Sequence, residues 1–177
     1  MEMRRVVVTG LGALTPIGNN IEEYWNGLIN GVSGAAPITH FDASQAKTQF
    51  ACELKNFDGN QFFDRKEIRK YDKFAQYGIV AADQAMLDSG INLENLDKDR
   101  AGVIWASGIG GIITFQEEIM SFAKGDGALR FSPFFIPKMI ADICAGHISI
   151  KYDLRGPNFC TVSACASSAN AIADAFM

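Results

Sequence analysis

The chain has 177 residues, 48% hydrophobic and 20% charged, enough for one domain with a sizeable core. Its formal net charge of −4 argues against general nucleic-acid binding, and its apolar runs are too short and broken to span a membrane. The opening Met1-Glu2-Met3-Arg4-Arg5 leads straight into three valines, without the apolar core and small-residue cleavage site of a secretory peptide. Cys52, Cys144, Cys160 and Cys165 form no C-x-x-C pair, which predicts free thiols in a reducing cytoplasm.

Arg5 to Thr9 is a β-branched run closed by Gly10, the pattern of a buried strand. The following Gly10-Leu11-Gly12 resembles the start of a dinucleotide fingerprint. However, Thr15 stands where the third glycine should, and Pro16 interrupts the helix opening, so no cofactor role is assigned. Asn20 with Glu23 predicts a capping box for a helix over about 21–30, ended by Gly31, Gly34 and Pro37. Phe50 to Leu54 reads as a strand. Residues 65–73 (RKEIRKYDK) hold five basic and two acidic side chains, compatible with either a solvated helix face or a docking patch.

Phe74 to Asp88 is a predicted helix whose broad apolar face includes Tyr77, Ile79, Val80 and Met86, with Gly90 as its C-terminal cap. Ala101 to Ala106 is strand-like and exits through Gly108-Ile109-Gly110-Gly111 into a helix over about 114–123, broken by Gly125-Asp126-Gly127. An aromatic loop, Ser132-Pro133-Phe134-Phe135-Ile136-Pro137, precedes a helix over about 138–151. Gly156-Pro157 then introduces a strand running towards Cys165, and a helix of mostly small residues follows. The alternation of strands and helices predicts an α/β layered fold with a mainly parallel sheet.

Chemistry concentrates at Cys165. A thiol at a helix N-terminus meets unpaired N–H donors and a partial positive charge, which favour thiolate and can hold a thioester oxyanion. The competing reading is a small buried hydrophobe, as for most free cysteines. Cys160, Cys144 and Cys52 sit in strand or helix contexts without that setting. No base stands out beside it: His40 reads as a turn residue, and His147 as a structural hydrogen-bonding group. Neither metal-ligand spacing nor a G-x-S-x-G elbow occurs.

Thr161-Val162-Ser163-Ala164-Cys165-Ala166-Ser167-Ser168, preceded by Leu154-Arg155-Gly156-Pro157, resembles the nucleophile segment of the β-ketoacyl-acyl carrier protein synthases. The opening Arg5-Val6-Val7-Val8-Thr9-Gly10-Leu11-Gly12 and Thr15-Pro16-Ile17-Gly18, the Gly108–Gly111 run, the Ser132–Pro137 loop and Ala145-Gly146-His147 are similar to the same family, in order. The likeness is greatest to the type II synthases of dissociated bacterial fatty acid synthesis.

The resemblance implies a thiolase-like fold of two α/β halves in five layers, usually a cytoplasmic homodimer. This chain would be the N-terminal half, spanning residues 1–177 and ending within the nucleophile helix. It implies a decarboxylating condensation with no cofactor beyond the carrier's phosphopantetheine. Cys165 would take the acyl group, and its N–H would form part of the oxyanion hole. Ile109 and Phe135 match positions lining or gating the acyl pocket. Lys66, Arg69 and Lys70 match a patch that meets the acidic acyl carrier protein, which shifts the basic segment towards docking. In the family the catalytic histidines, a supporting lysine and a glycine-rich loop come from the second half, and neither His40 nor His147 matches them. A polyketide-type ketosynthase and a non-catalytic carrier-binding half-domain are the alternative readings.

Overall fold

A computed structural model of the chain describes residues 5–126, 128 and 130–177. The chain divides into two compact units, one built from the segment ending at Val7 with Gly59–Ile79 and Ile91–Met177, the other from Val8–Asp58 with Val80–Gly90. Gly127, in the predicted break after Lys124, lies outside the described residues.

In the Val8–Asp58 unit, α1 (Ile21–Ile29) starts as its sequence predicts, with Asn20 Oδ1 accepting from the Glu23 N–H at 2.8 Å. The reciprocal bond is displaced by one residue: Glu23 Oε2 accepts from Asn19, so the capping box is incomplete. The glycines of the rejected fingerprint have a packing role. A Cβ at Gly10 would fall 2.2 Å from the Ala85 carbonyl and one at Gly12 1.9 Å from that of Ala81, so only bare backbone fits against the helix there. Asp88 and Gln84 accept the Leu11 and Ala13 N–H groups at 2.8 and 3.0 Å, satisfying donors that a strand partner would otherwise take.

Two strand expectations are corrected. Arg5–Thr9 has no ladder partner among the described residues, and Val6, Val7 and Val8 are 49%, 60% and 78% exposed. A β-branched run fits a pleated surface only where a neighbouring strand supplies one. The Phe50–Leu54 strand shrinks to β2 (Phe50–Ala51), antiparallel to β1 (Ala36–Pro37): in this register Ala35 would face Cys52, and its N–H donates locally to Ser33 Oγ at 3.3 Å instead of to a ladder partner.

The larger unit follows the predicted alternation. α2 (Arg65–Lys70) has a full capping box, Asp64 accepting from Lys66 and Glu67 N–H and Glu67 returning to the Asp64 N–H at 2.9 Å. Arg69 and Lys70 occupy its last turn, where cations complement the helix dipole. α3 (Lys73–Ser89) contributes its first part to this unit and its second part to the other, ending at Gly90 with φ +62°. β3 (Val103–Ala106) pairs in parallel with β4 (Asn158–Thr161), Val103 opposite Asn158 and Ala106 opposite Thr161. The crossover between them carries α4 (Ile112–Lys124), α5 (Phe135–Met139) and α6 (Ile143–Tyr152).

The helix predicted over 138–151 is therefore two helices. Ile140 turns to ψ 140°, and the freed Met139 carbonyl accepts from the Gly111 N–H at 2.9 Å, exchanging a helix bond for a tertiary one. Ala75, Ile79, Val103, Cys144, Ala145 and Ile148 form the buried centre of this unit. α7 (Ser167–Phe176) packs on the β3–β4 pair and buries only Ser167 and Ala171; Ile172 is 72% exposed.

Candidate active site

After β4 the chain makes a short 3-10 turn, Ala164–Ala166, that runs directly into α7. Cys165 is the middle residue of that turn and is exposed. Ala164 has φ +51°, a left-handed conformation that costs a residue with a Cβ about 1–2 kcal/mol. Ser167, 4% exposed, holds this bend together. Its hydroxyl accepts from the Ser163 N–H at 2.8 Å and donates to the Ala164 carbonyl at 2.7 Å. Thr161 Oγ1 donates to the Ser167 carbonyl at 3.0 Å, and Asn170 Nδ2 donates to Ser163 Oγ at 2.6 Å. Hydroxyl side chains thus take up polar backbone of the bend, the Asn170 amide holds the Ser163 hydroxyl, and the thiol is left exposed. Sequence reading did not single out Ser167; the only signal was a serine four residues after Ser163.

The turn after β3 leaves from the same end of the strand pair, since Ala106 lies opposite Thr161. A Cβ built on Gly108 would lie 3.7 Å from the Ala164 carbonyl, so the two turns are neighbours. Gly110, at φ +85°, donates its N–H to Ser107 Oγ at 2.9 Å. Between these glycines Ile109 is 70% exposed and borders an open apolar hollow of about 290 Å³ with Ile112, Phe115, Met139 and Ile140. Phe135 does not line this hollow but joins it through Phe115, with ring centroids 6.1 Å apart, and stacks on Phe131 at 5.5 Å. The structure therefore draws Ile109 and Phe135 to one aromatic wall. Lys66, Arg69 and Lys70 are exposed on α2 and line neither the hollow nor the bend.

The remaining candidates are placed elsewhere. The structural hydrogen bond expected of His147 is not made at its buried Nε2, which has no partner among the described residues. Its ring instead lies 4.4 Å from that of Tyr71, and burial, followed by the nearby Lys70 charge, lowers its pKa. His40 faces Glu53 at 4.0 Å, as a turn residue. Burial raises the Cys160 thiol pKa and drives that of Cys144 up to about 12. Among the described residues no helix is long and apolar enough to cross a membrane.

The family model of the β-ketoacyl synthase N-terminal domain matches residues 3–177. The chain belongs to the β-ketoacyl synthase family. It is 46% identical over 176 residues to the 3-oxoacyl-(acyl-carrier-protein) synthase 2 of Synechocystis sp., covering 99% of this chain and 42% of the relative. It is 43% identical to the synthase of the same name from Coxiella burnetii, again over 99% of this chain and 42% of the relative. The chain thus spans less than half the length of these relatives and matches the N-terminal part of the family. Among solved structures, a β-ketoacyl synthase from Burkholderia phymatum aligns with a TM-score of 0.81 at 24% identity, over 98% of this chain and 43% of its own. A type II PKS acyl-carrier protein in complex with its ketosynthase, bound to the hexaketide, aligns at 0.78 and 25% identity, over 95% of this chain and 44% of the other. The α/β, thiolase-like assignment holds for this part of a β-ketoacyl synthase.

Proposed function

We propose that the complete protein is a condensing acyltransferase of fatty acid chain elongation and that Cys165 is its acyl acceptor. The observation that carries this reading is the exposed thiol on a strained bend at the C-terminal end of a parallel strand pair, neighbouring the turn whose Ile109 borders the apolar hollow. Cys165 Sγ, as thiolate, attacks the carbonyl carbon of an acyl thioester borne on the phosphopantetheine of acyl carrier protein. The carrier thiolate leaves and is protonated. The turn's N–H groups, that of Cys165 among them, and the positive end of α7 stabilise thiolate and oxyanion.

Malonyl-carrier protein then loses CO2, and the electron pair of the broken C–C bond becomes an enolate. That carbon attacks acyl-Cys165; the C–S bond breaks, returning the thiolate and releasing 3-oxoacyl-carrier protein. Decarboxylation is assigned to histidines of the second half of the protein, since His40 pairs with Glu53 and His147 packs on Tyr71. The hollow at Ile109, with Phe135 behind Phe115, receives the acyl chain. No resident cofactor or metal enters these steps.

Lys66, Arg69 and Lys70 form the contact for the acidic carrier protein. A homodimer in the cytoplasm is the proposed working form; the exposed Ile112, Met120 and Ile136 of α4 and α5 support a contact with a second copy. A polyketide-type condensation is the second reading, favoured by the structural likeness to the ketosynthase bound to a hexaketide. The 43–46% identity to the two 3-oxoacyl-(acyl-carrier-protein) synthases 2, against 25% to that protein, favours the first.

The test is acylation of the full-length protein by acyl-carrier protein, read by peptide mass. Wild type gains the acyl mass on the Cys165 peptide, and Cys165→Ala neither acylates nor condenses; acylation retained in that variant sinks the reading. Reversing charge at Lys66, Arg69 and Lys70 together raises KM for carrier-bound donor by about tenfold and leaves free thioester donors within about twofold. Equal losses on both donors would refute the docking role.

A further inference from the structure

Asp72 takes no part in the chemistry above, yet its carboxylate is only 5% exposed and fully engaged. It precedes α3, where its Oδ1 accepts from the Phe74 N–H at 3.2 Å in the manner of an N-cap. Its Oδ2 accepts from the Thr114 N–H at 3.0 Å and from the Thr114 hydroxyl at 2.6 Å. Thr114 is the third residue of α4 and 4% exposed. One carboxylate therefore serves the N-termini of two helices, and its negative charge suits both dipoles.

The consequence falls on the turn that carries Ile109. α4 begins at Ile112, immediately after Gly111. A Cβ on Gly111 would lie 3.1 Å from Asp72 Oδ2, so the carboxylate abuts the turn itself. From the other side the Met139 carbonyl accepts from the Gly111 N–H at 2.9 Å, and Ser107 Oγ accepts from Gly110. Anchors from three segments thus set where Ile109, Ile112 and Phe115 stand around the hollow.

We propose that Asp72 is a positioning residue for acyl-chain selectivity: through Thr114 and the first turn of α4 it fixes the Ile109 and Phe115 walls of the hollow without touching substrate. This rests on the reading that the hollow receives the acyl chain. Each methylene buried against well-placed walls adds to binding, so loosened walls penalise long chains more than short ones. Loss of a cap that only stabilised the fold would act on all chain lengths alike.

The experiment follows acyl-Cys165 formation in the full-length protein by intact mass, with a short and a long saturated acyl thioester of coenzyme A. Asp72→Asn keeps the shape but turns one acceptor into a donor facing N–H or hydroxyl donors. The expected result is a fall of about tenfold in kcat/KM for the long donor and less than about twofold for the short one. Thr114→Val removes only the hydroxyl donor; it shifts selectivity the same way by less, and it serves if Asp72→Asn does not fold. Equal losses on both donors, or unchanged selectivity in the folded variants, overturn this proposal while acyl-Cys165 still forms. Absence of acyl-Cys165 in wild type with either donor overturns the functional reading and this inference with it.

Discussion

Inside α6, Cys144 has no exposed surface, and burial, with a smaller push from Cys160, raises its thiol to about 12, whereas Cys165 lies exposed on the bend before α7. Cys144 Sγ approaches the Ala75 carbonyl at 3.8 Å and acts as a core atom. The contrast shows how backbone placement sorts identical side chains: the core desolvates one thiol and closes it off, while the bend leaves the other open to solvent and reagent. The largest expected consequence is kinetic. Near neutral pH, iodoacetamide should label Cys165 at least about a hundredfold faster than Cys144, which reacts only when its unit opens. Peptide mapping over a time course reads both sites, and similar rates would break the comparison.

The buried thiol also ties stability to pH. Its folded value lies above the ordinary thiol value of 9.0, so the neutral form stabilises the fold. That contribution is complete below 9.0 and is lost as pH rises through about 12, roughly 4 kcal/mol across the window. Urea unfolding of wild type and Cys144→Ala over this range separates the effect from other titrations; the same slope in both proteins would remove Cys144 from the account. At the other cysteine the expected loss is smaller. Ser167→Ala removes the acceptor of the Ser163 N–H and the donor to the Ala164 carbonyl, and should cost about 0.5–1.5 kcal/mol without unmasking Cys144. A neutral substitution would mean that the bend does not depend on that hydroxyl.

These two cysteines also mark how far the sequence could be read. The alternation from Ala101 onward, the Phe74–Asp88 helix and the bend at Cys165 were legible because their signals are local: β-branched runs, glycine exits and a change of period. Ile109 and Phe135 were reached through a resemblance, and the structure adds that they share Phe115. Asp72, Ser167 and the helix break at Ile140 were not legible. Each depends on a partner distant in sequence or on a backbone turn, as with Asp72 and Thr114 or Met139 and Gly111. The Arg5–Thr9 run failed for the complementary reason, since its composition speaks for a strand but cannot supply a neighbour.

The smallest expected effect tests whether the Cys165 bend stores strain that the Cys144 helix lacks. Ala164 sits at φ +51°, where an L-residue pays about 1–2 kcal/mol that glycine avoids. Glycine in turn loses about 0.5–1 kcal/mol more conformational freedom on folding. Ala164→Gly should therefore stabilise the protein by about 0.5 kcal/mol, a sign opposite to that of most substitutions. Ala164→Val should instead destabilise it by about 1–3 kcal/mol, because a β-branched side chain tolerates the left-handed region less well. Urea unfolding reads both, and Cys144 should stay protected from alkylation in each. A loss of more than about 1 kcal/mol in the glycine variant would show that the bend at Cys165 is unstrained and that burial alone separates the two thiols.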